Sequence, residues 1–157
     1  MPLPPFQTFF DAHRNEVLGF LTALVGPNEA DDCFQETFVA ALRAYPRLRA
    51  DSNMRAWILT IARRKAIDAT RSRGRRALPS DDLPETPVPP PAISGADGEP
   101  ELWAAVRGLP ERQRAAVFLR SAGDLTHRDI ASVMDSSEDA ARKNVSDGLR
   151  KLKEALA

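Results

Sequence analysis

An all-α fold in two small helical domains, an N-terminal bundle and a C-terminal helix-turn-helix domain, is what the sequence predicts. Three observations carry this. Apolar residues recur at three- and four-residue spacing through the first 76 residues. Seven of the thirteen prolines, including Pro89-Pro90-Pro91, then crowd into residues 77–100. Beyond them the spacing resumes in shorter helical pieces, each bounded by Gly, Pro, Asp or Ser.

The first helix is expected from Phe6 to Val25, with Phe9, Phe10, His13, Val17, Phe20, Leu21 and Leu24 as its buried stripe. Gly26-Pro27 stops it. Asn28 is the expected N-cap of a second helix, because Glu29, Asp31 and Asp32 follow in the turn where carboxylates suit the helix dipole. Ala30, Phe34, Thr37, Phe38, Ala41 and Leu42 form its apolar stripe, and it ends near Tyr45-Pro46. After the polar loop 46–52, Ser52 is placed as cap of a third helix running to about Ser72 and stopped near Gly74. Met54, Trp57, Ile58, Ile61 and Ala62 are its packing side.

Residues 77–100 read as an acidic, Pro-rich linker, dividing the chain into domains 1–76 and 101–157. The second domain reads as four helices. Glu101 to Arg107 is the first, with Trp103 in its core side. Residues 110–122 are the second, with Pro110 at its start and Gly123 as C-cap. Asp124 or Thr126 caps a short third helix containing Ile130, Ala131, Val133 and Met134. The turn Asp135-Ser136-Ser137 leads into a longer last helix with Ala141, Val145, Leu149 and Leu152 inward.

The chain has 157 residues, 43% of them hydrophobic, enough to pack one ordinary domain or two small ones. Net charge is zero, but it is unevenly spread: −5 over 1–42, +9 over 43–76, −5 over 77–100 and +1 over 101–157. A basic block between acidic ones points to a localised anion-binding surface. Asn53 to Arg76 holds eight basic residues and one acid on a helix that also has an apolar stripe, so its charges are expected to face water or a polyanionic ligand. Cys33 is the single cysteine, which excludes an intrachain disulfide. It reads as a packing residue, as does His13, while His127 reads as a surface residue. No nucleotide loop, metal cluster or triad spacing appears, so no catalytic or metal site and no cofactor are expected. Without a targeting segment or an apolar run near eighteen residues, a cytoplasmic location is expected.

Leu125 to Leu152 has the form of a helix-turn-helix, in which one helix enters the major groove and the other braces it; a plain helical hairpin has the same pattern. Its second helix offers Ser137, Glu138, Asp139, Arg142, Lys143 and Ser146 in its N-terminal half. Asp32, Gln35 and Glu36 share one face of the second helix, a surface suited to a basic protein partner.

Three stretches in order, DDCFQETFVAAL, RLRADSNMRAWILTIARRKAIDATR and LPERQRAAVFLRSAGDLTHRDIASVMDSSEDAARKNVSDGLRKL, resemble an extracytoplasmic-function (ECF) sigma factor. These are small sigma-70-like promoter-recognition subunits of bacterial RNA polymerase. The resemblance implies that Asp32, Gln35 and Glu36 bind the coiled coil of the polymerase β′ subunit, with a further polymerase contact at the β flap. It implies that the loop from Arg47 through Arg49 and Asp51 to Arg55 captures a base flipped from the −10 element. Arg63, Arg64, Lys65 and Arg71 fall where strand and phosphate contacts are made. Ser137, Glu138, Arg142, Lys143 and Ser146 fall on the −35 reader. An anti-sigma partner is the usual control, whereas a small-molecule substrate and membrane insertion are not expected.

The chain departs from the family at four places. Arg64 replaces a frequent Asn, which shifts base-edge reading toward phosphate contact. Asp147 stands where Arg is frequent. Asp135 and Ser136 replace Gly and an apolar residue at the turn, where Asp tolerates a left-handed backbone. The acidity of the linker (Asp81, Asp82, Glu85) is expected to keep it off DNA. No regulatory domain is expected beyond the last helix. The rival readings are a stand-alone helix-turn-helix regulator, which leaves DDCFQETF without a role, and a helical adaptor protein.

Overall fold

The computed structural model describes residues 3–76 and 100–157, with the backbone alone for 73–76 and 100. The linker reading, including Asp81, Asp82 and Glu85, lies outside the described residues. Among the described residues every regular element is a helix: α1 Phe6–Val25, α2 Pro27–Ala44, a single 3-10 turn Tyr45–Arg47, α3 Met54–Arg76, α4 Pro100–Arg107, α5 Glu111–Ser121, α6 His127–Met134 and α7 Glu138–Leu156.

Helices α1, α2 and α3 pack on one another as a bundle. Its centre is aromatic: the buried Phe9 ring lies 5.3 Å from Tyr45, 5.7 Å from Trp57 and 6.4 Å from Phe38. Such rings bury large areas and add edge-on attraction. Gly26 both ends α1 and begins α2. Its N–H donates to the Thr22 carbonyl and its own carbonyl accepts from Ala30 N–H, at a φ of +85° that disfavours any side chain. Gly26 therefore holds the N-cap position expected of Asn28. Pro27 follows at the first helical position, where its missing N–H costs nothing. On α2, Cys33 turns inward beside Ala30, Thr37, Phe38 and Ala41, while Leu42, expected in the buried stripe, is 54% exposed. The cap of α3 is Asn53, whose Oδ1 accepts from Ala56 N–H at 3.0 Å, and not Ser52. The α3 backbone runs on through Gly74 to Arg76; a helical glycine weakens a helix without ending it.

In the second half, Thr126 caps α6 by accepting from Asp129 N–H, and Ser137 caps α7 by accepting from Ala140 N–H. Between them Asp135 adopts φ 52°, a left-handed turn residue, as its type allows. Pro110 is the N-cap of α5, one position before the helix. At the other end Ala122 is the C-cap, not Gly123, and the left-handed residue is Asp124. Leu149 of α7, expected inward, is 45% exposed. Gly148 takes the inward place and brings α7 against α5.

The two halves dock, α3 on α6 and α1 on α5. One buried apolar cluster runs across the seam, joining Phe20, Leu21 and Leu59 to Ala115, Leu119, Ile130 and Met134. The Phe20 and Phe118 ring centroids are 5.5 Å apart.

A Cβ added at Gly148 would sit 2.5 Å from Val117 Cγ2 and 3.3 Å from the Gln113 carbonyl. Val is stiff about χ1 and cannot swing aside. Gly148→Ala should therefore lose roughly 1 kcal/mol net, the overpacking exceeding the helix-propensity gain. Urea denaturation midpoints check this.

Candidate nucleic-acid interface

Between the end of α2 and the start of α3 lies an open cavity of about 620 Å³. Arg43, Arg47 and Arg49 line it, together with Ala40, Ala44, Leu48, Ser52 and Trp57. The loop is folded by Leu48 N–H donating to the Tyr45 carbonyl and Ser52 N–H to the Arg49 carbonyl. Trp57 is held from behind by Phe9 and Tyr45, and Tyr45 donates its hydroxyl hydrogen to the Pro4 carbonyl. An indole wall ringed by guanidinium groups suits a planar base with its phosphates. Arg49 pairs with Asp51 at 3.3 Å, but both side chains are largely exposed, so the pair is weak and exchangeable. Sequence reasoning placed Arg47 and Arg49 here and missed Arg43, which lies one helical turn before Arg47.

Further along α3, Arg64 and Arg71 are exposed and border a second cavity of about 330 Å³ between α3 and α6, which Arg63, Asp68, Ser132 and Asp135 also line. Lys65 is half-buried, and its carbonyl lies 3.9 Å from the Cys33 thiol, which donates toward it. Burial, reinforced by the charges of Glu36, Glu29 and Asp32, pushes that thiol up to about 11, so Cys33 is an unreactive packing residue.

One of the expected strand-contacting arginines does not face solvent as foreseen, and Arg55, though exposed, is drawn to the same seam. Arg63 is 8% exposed. Its guanidinium donates to the Met134 carbonyl at 3.4 Å and pairs with Glu111 at 3.3 Å. Arg55 pairs with Glu16 at 3.3 Å and donates to the Gly123 carbonyl at 3.1 Å. The physical reason is helical spacing: residues 55, 59 and 63 share one stripe, and the buried Leu59 carries that stripe into the seam. The expectation that every charge of α3 faces water or a ligand therefore fails at Arg63. Glu16 and Glu111 were missed because they are distant in sequence from their arginines.

Near this seam, burial and the Arg55 charge lower the His13 pKa, and the His13 ring lies tilted against Phe9 with centroids 4.9 Å apart. Burial raises the Glu16 carboxyl, against a smaller opposing pull from Arg55.

On α2, Asp32, Gln35 and Glu36 are all exposed on one face. The uncovered Val39 and Leu42 extend that face by two turns, with 49% and 54% exposure. On α7, Arg142 pairs with Glu138 at 3.0 Å and approaches Asp139 at 3.7 Å. Lys143 and Ser146 are exposed, while the Ser137 hydroxyl serves the cap. Asp147 is neutralised by Arg150 at 3.5 Å. Among the described residues no group of His, Cys, Asp or Glu could hold a metal, and no helix is long and apolar enough to cross a membrane.

A bundle carrying a basic, indole-walled cavity, followed by a helix-turn-helix, defines a bipartite DNA-binding protein. Comparison with known proteins agrees. The sigma-70 region 2 family matches residues 9–76, and the sigma-70 region 4 family matches residues 100–152. The chain is 27% identical over 153 residues to an ECF RNA polymerase sigma-E factor of Haemophilus influenzae, covering 89% of this chain and 81% of that one. It is 30% identical over 141 residues to the ECF RNA polymerase sigma factor SigC of Mycobacterium tuberculosis, covering 88% and 76%. Among solved structures it resembles the sigma factor RpoE of Bartonella quintana in complex with the anti-sigma factor NepR, with TM-score 0.86, 25% identity and 96% of both chains covered. CnrH, bound to the cytosolic domain of CnrY, shares the fold at TM-score 0.68 and 20% identity, over 96% of this chain and 86% of that one. The chain belongs to the ECF sigma factors of the sigma-70 family. It is thus a promoter-recognising RNA polymerase sigma factor, and the stand-alone regulator and adaptor readings fall away.

The pKa directions give a pH signature. His13 resists protonation in the folded chain, so its contribution to stability is present above about pH 6.5 and is lost progressively as pH falls below that value and through the lowered pKa of the folded state. Glu16 acts the other way, its contribution fading as pH rises from about 4.5. Between about pH 8 and about pH 5.5, His13→Gln should lose less stability than the parent chain. Urea midpoints at the two pH values read the difference.

Proposed function

We propose a division of labour within this sigma factor. The α2 face of Asp32, Gln35 and Glu36, extended by Val39 and Leu42, docks on the β′ coiled coil of core polymerase. Carboxylates would steer the approach and the two apolar side chains would be covered on docking. The cavity lined by Arg43, Arg47, Arg49 and Trp57 receives a base flipped from the −10 element. Unstacking a base costs a few kcal/mol, which arginine contacts to the flanking phosphates offset. Arg64, Lys65 and Arg71 follow the opened strand. Helix α7 reads the −35 element through Arg142, Lys143 and Ser146, with Glu138 and the Ser137 cap orienting its first turn. Tethering both readers to one polymerase raises the effective concentration of the second contact. The division into −10 and −35 domains at 1–76 and 101–157, a second contact at the β flap, a cytoplasmic location and the lack of an enzymatic activity of its own belong to the same proposal. So does control by an anti-sigma protein, since the similar RpoE was solved with one.

The observation that supports this most is the indole-walled cavity with three arginines between α2 and α3. Run-off transcription with purified core polymerase and genomic templates tests it. Arg49→Ala should lower open-complex formation roughly tenfold, as for one lost charge-assisted hydrogen bond. Arg64→Ala should weaken opening. Arg142→Ala should leave opening of a −10-only template intact but weaken −35 binding, with the salt slope reduced by about 0.9 if it neutralises one phosphate. Unchanged transcription in all three variants would overturn the assignments.

A further inference from the structure

We propose that the cavity beside Trp57 selects among flipped bases, taking guanine over the other three, and that Arg43 is the residue that reads it; this rests on the proposed role of that cavity as a base receptor. The first observation is the polarity of the lining. The side chains there that can hydrogen-bond a base are Arg43, Arg47, Arg49, Ser52 and Trp57. Guanidinium and indole N–H groups donate and never accept, so only the Ser52 hydroxyl can do both. The loop carbonyls of Tyr45 and Arg49 already accept from Leu48 and Ser52 N–H. No carboxylate or side-chain amide lines the cavity. Such a wall matches a base edge made of acceptors. Guanine presents N7 and O6 side by side and thymine presents O4, whereas adenine and cytosine set an amino donor on the same edge. An amino group turned toward guanidinium N–H groups loses its water and gains no acceptor.

The second observation separates the three arginines. Arg43 lies in the last turn of α2, so its backbone is fixed, and its exposed side chain has no ion-pair partner among the described residues. Arg47 ends the 3-10 turn, and Arg49 stands on the loop already turned to Asp51 at 3.3 Å. A reader carried on a helix is placed more precisely than one on a loop. Arg43 therefore meets the edge of the base while Trp57 takes its face, and Arg47 and Arg49 are left for the flanking phosphates. The planar guanidinium fork fits N7 and O6 with two parallel bonds, a geometry that a lysine ammonium does not copy.

The test uses holoenzyme assembled from purified core polymerase and the full chain, with the anisotropy of short fluorescent oligo-dC strands as readout. Each strand carries one dG, dA, dT or 7-deaza-dG. In a homopolymer the register slides until the odd base finds the cavity, so no promoter sequence is needed. The dG strand should bind about tenfold tighter than the dA strand, with dT between them. Exchanging N7 for a C–H in 7-deaza-dG should remove most of that gain. Arg43→Lys, which keeps the charge on an exposed side chain, should bring dG down to dA. Arg47→Ala and Arg49→Ala should weaken every strand and keep the dG-to-dA ratio. Equal binding of dG and dA, or of dG and 7-deaza-dG, would overturn the selection. So would a preference for dC or dA that Asp51→Asn abolishes, because the carboxylate would then be the reader. A dG preference untouched by Arg43→Lys would overturn the assignment to Arg43. If Arg47→Ala and Arg49→Ala weaken all strands alike while dG has no advantage, the selection falls and the base receptor stands; if neither weakens any strand, the receptor falls too.

Discussion

Helix α3 carries most of the chain's basic block and is nevertheless covered on two sides. One side closes the N-terminal aromatic core through Trp57 and Ile58. Another meets α6 through Leu59 and Arg63. Everything else is arranged around a helix that cannot bury all of itself. The remaining faces keep Arg64 and Arg71 in solvent, and the loop before it folds back so that Trp57 becomes a cavity wall. Covering the Arg63 stripe then requires acceptors from elsewhere in the chain, and the C-terminal half supplies Glu111 and the Met134 carbonyl.

What was legible in the sequence was what local rules decide. The α1 boundaries follow from the Pro5 to Phe6 entry and Gly26 exit, and the Ser137 cap from a hydroxyl preceding a helical run, while the α6 cap was narrowed to Asp124 or Thr126 and fell to Thr126. The left-handed Asp135 was readable because Asp is one of the few residues that accepts it. Misreadings came where two neighbouring residues compete for one role. Asn53 outcompetes Ser52 as the α3 cap by standing one position nearer, and Gly26 outcompetes Asn28 by geometry rather than hydrogen bonding. Leu42 and Leu149 sit at the edges of apolar stripes, where a rotation of a few tens of degrees decides inward from outward. Periodicity cannot settle that rotation, because it depends on what packs alongside.

The burial of Arg63 was out of reach for a different reason. A helix sequence shows that residues 55, 59 and 63 share a stripe, but not that the second domain will cover it. Glu111 lies 48 residues away, beyond the proline-rich segment, and nothing local ties it to Arg63. The cavity beside Trp57 lies between these cases. Arg47 and Arg49 were visible as a basic loop, while Arg43 joined them only once the α2 end and the 3-10 turn fixed their relative directions.

The uncovered Val39 and Leu42 beside the α2 carboxylates have a kinetic consequence. Charge acts at long range and is screened by salt over about 8 Å at physiological ionic strength, whereas apolar contact acts only on touching and is indifferent to screening. With that face as the docking surface, ionic strength governs how fast the factor finds polymerase, and the two aliphatic side chains govern how long it stays. Competition among sigma factors for a limited pool of polymerase then splits into a contest of arrival, sensitive to the ionic state of the cell, and a contest of residence, which is not.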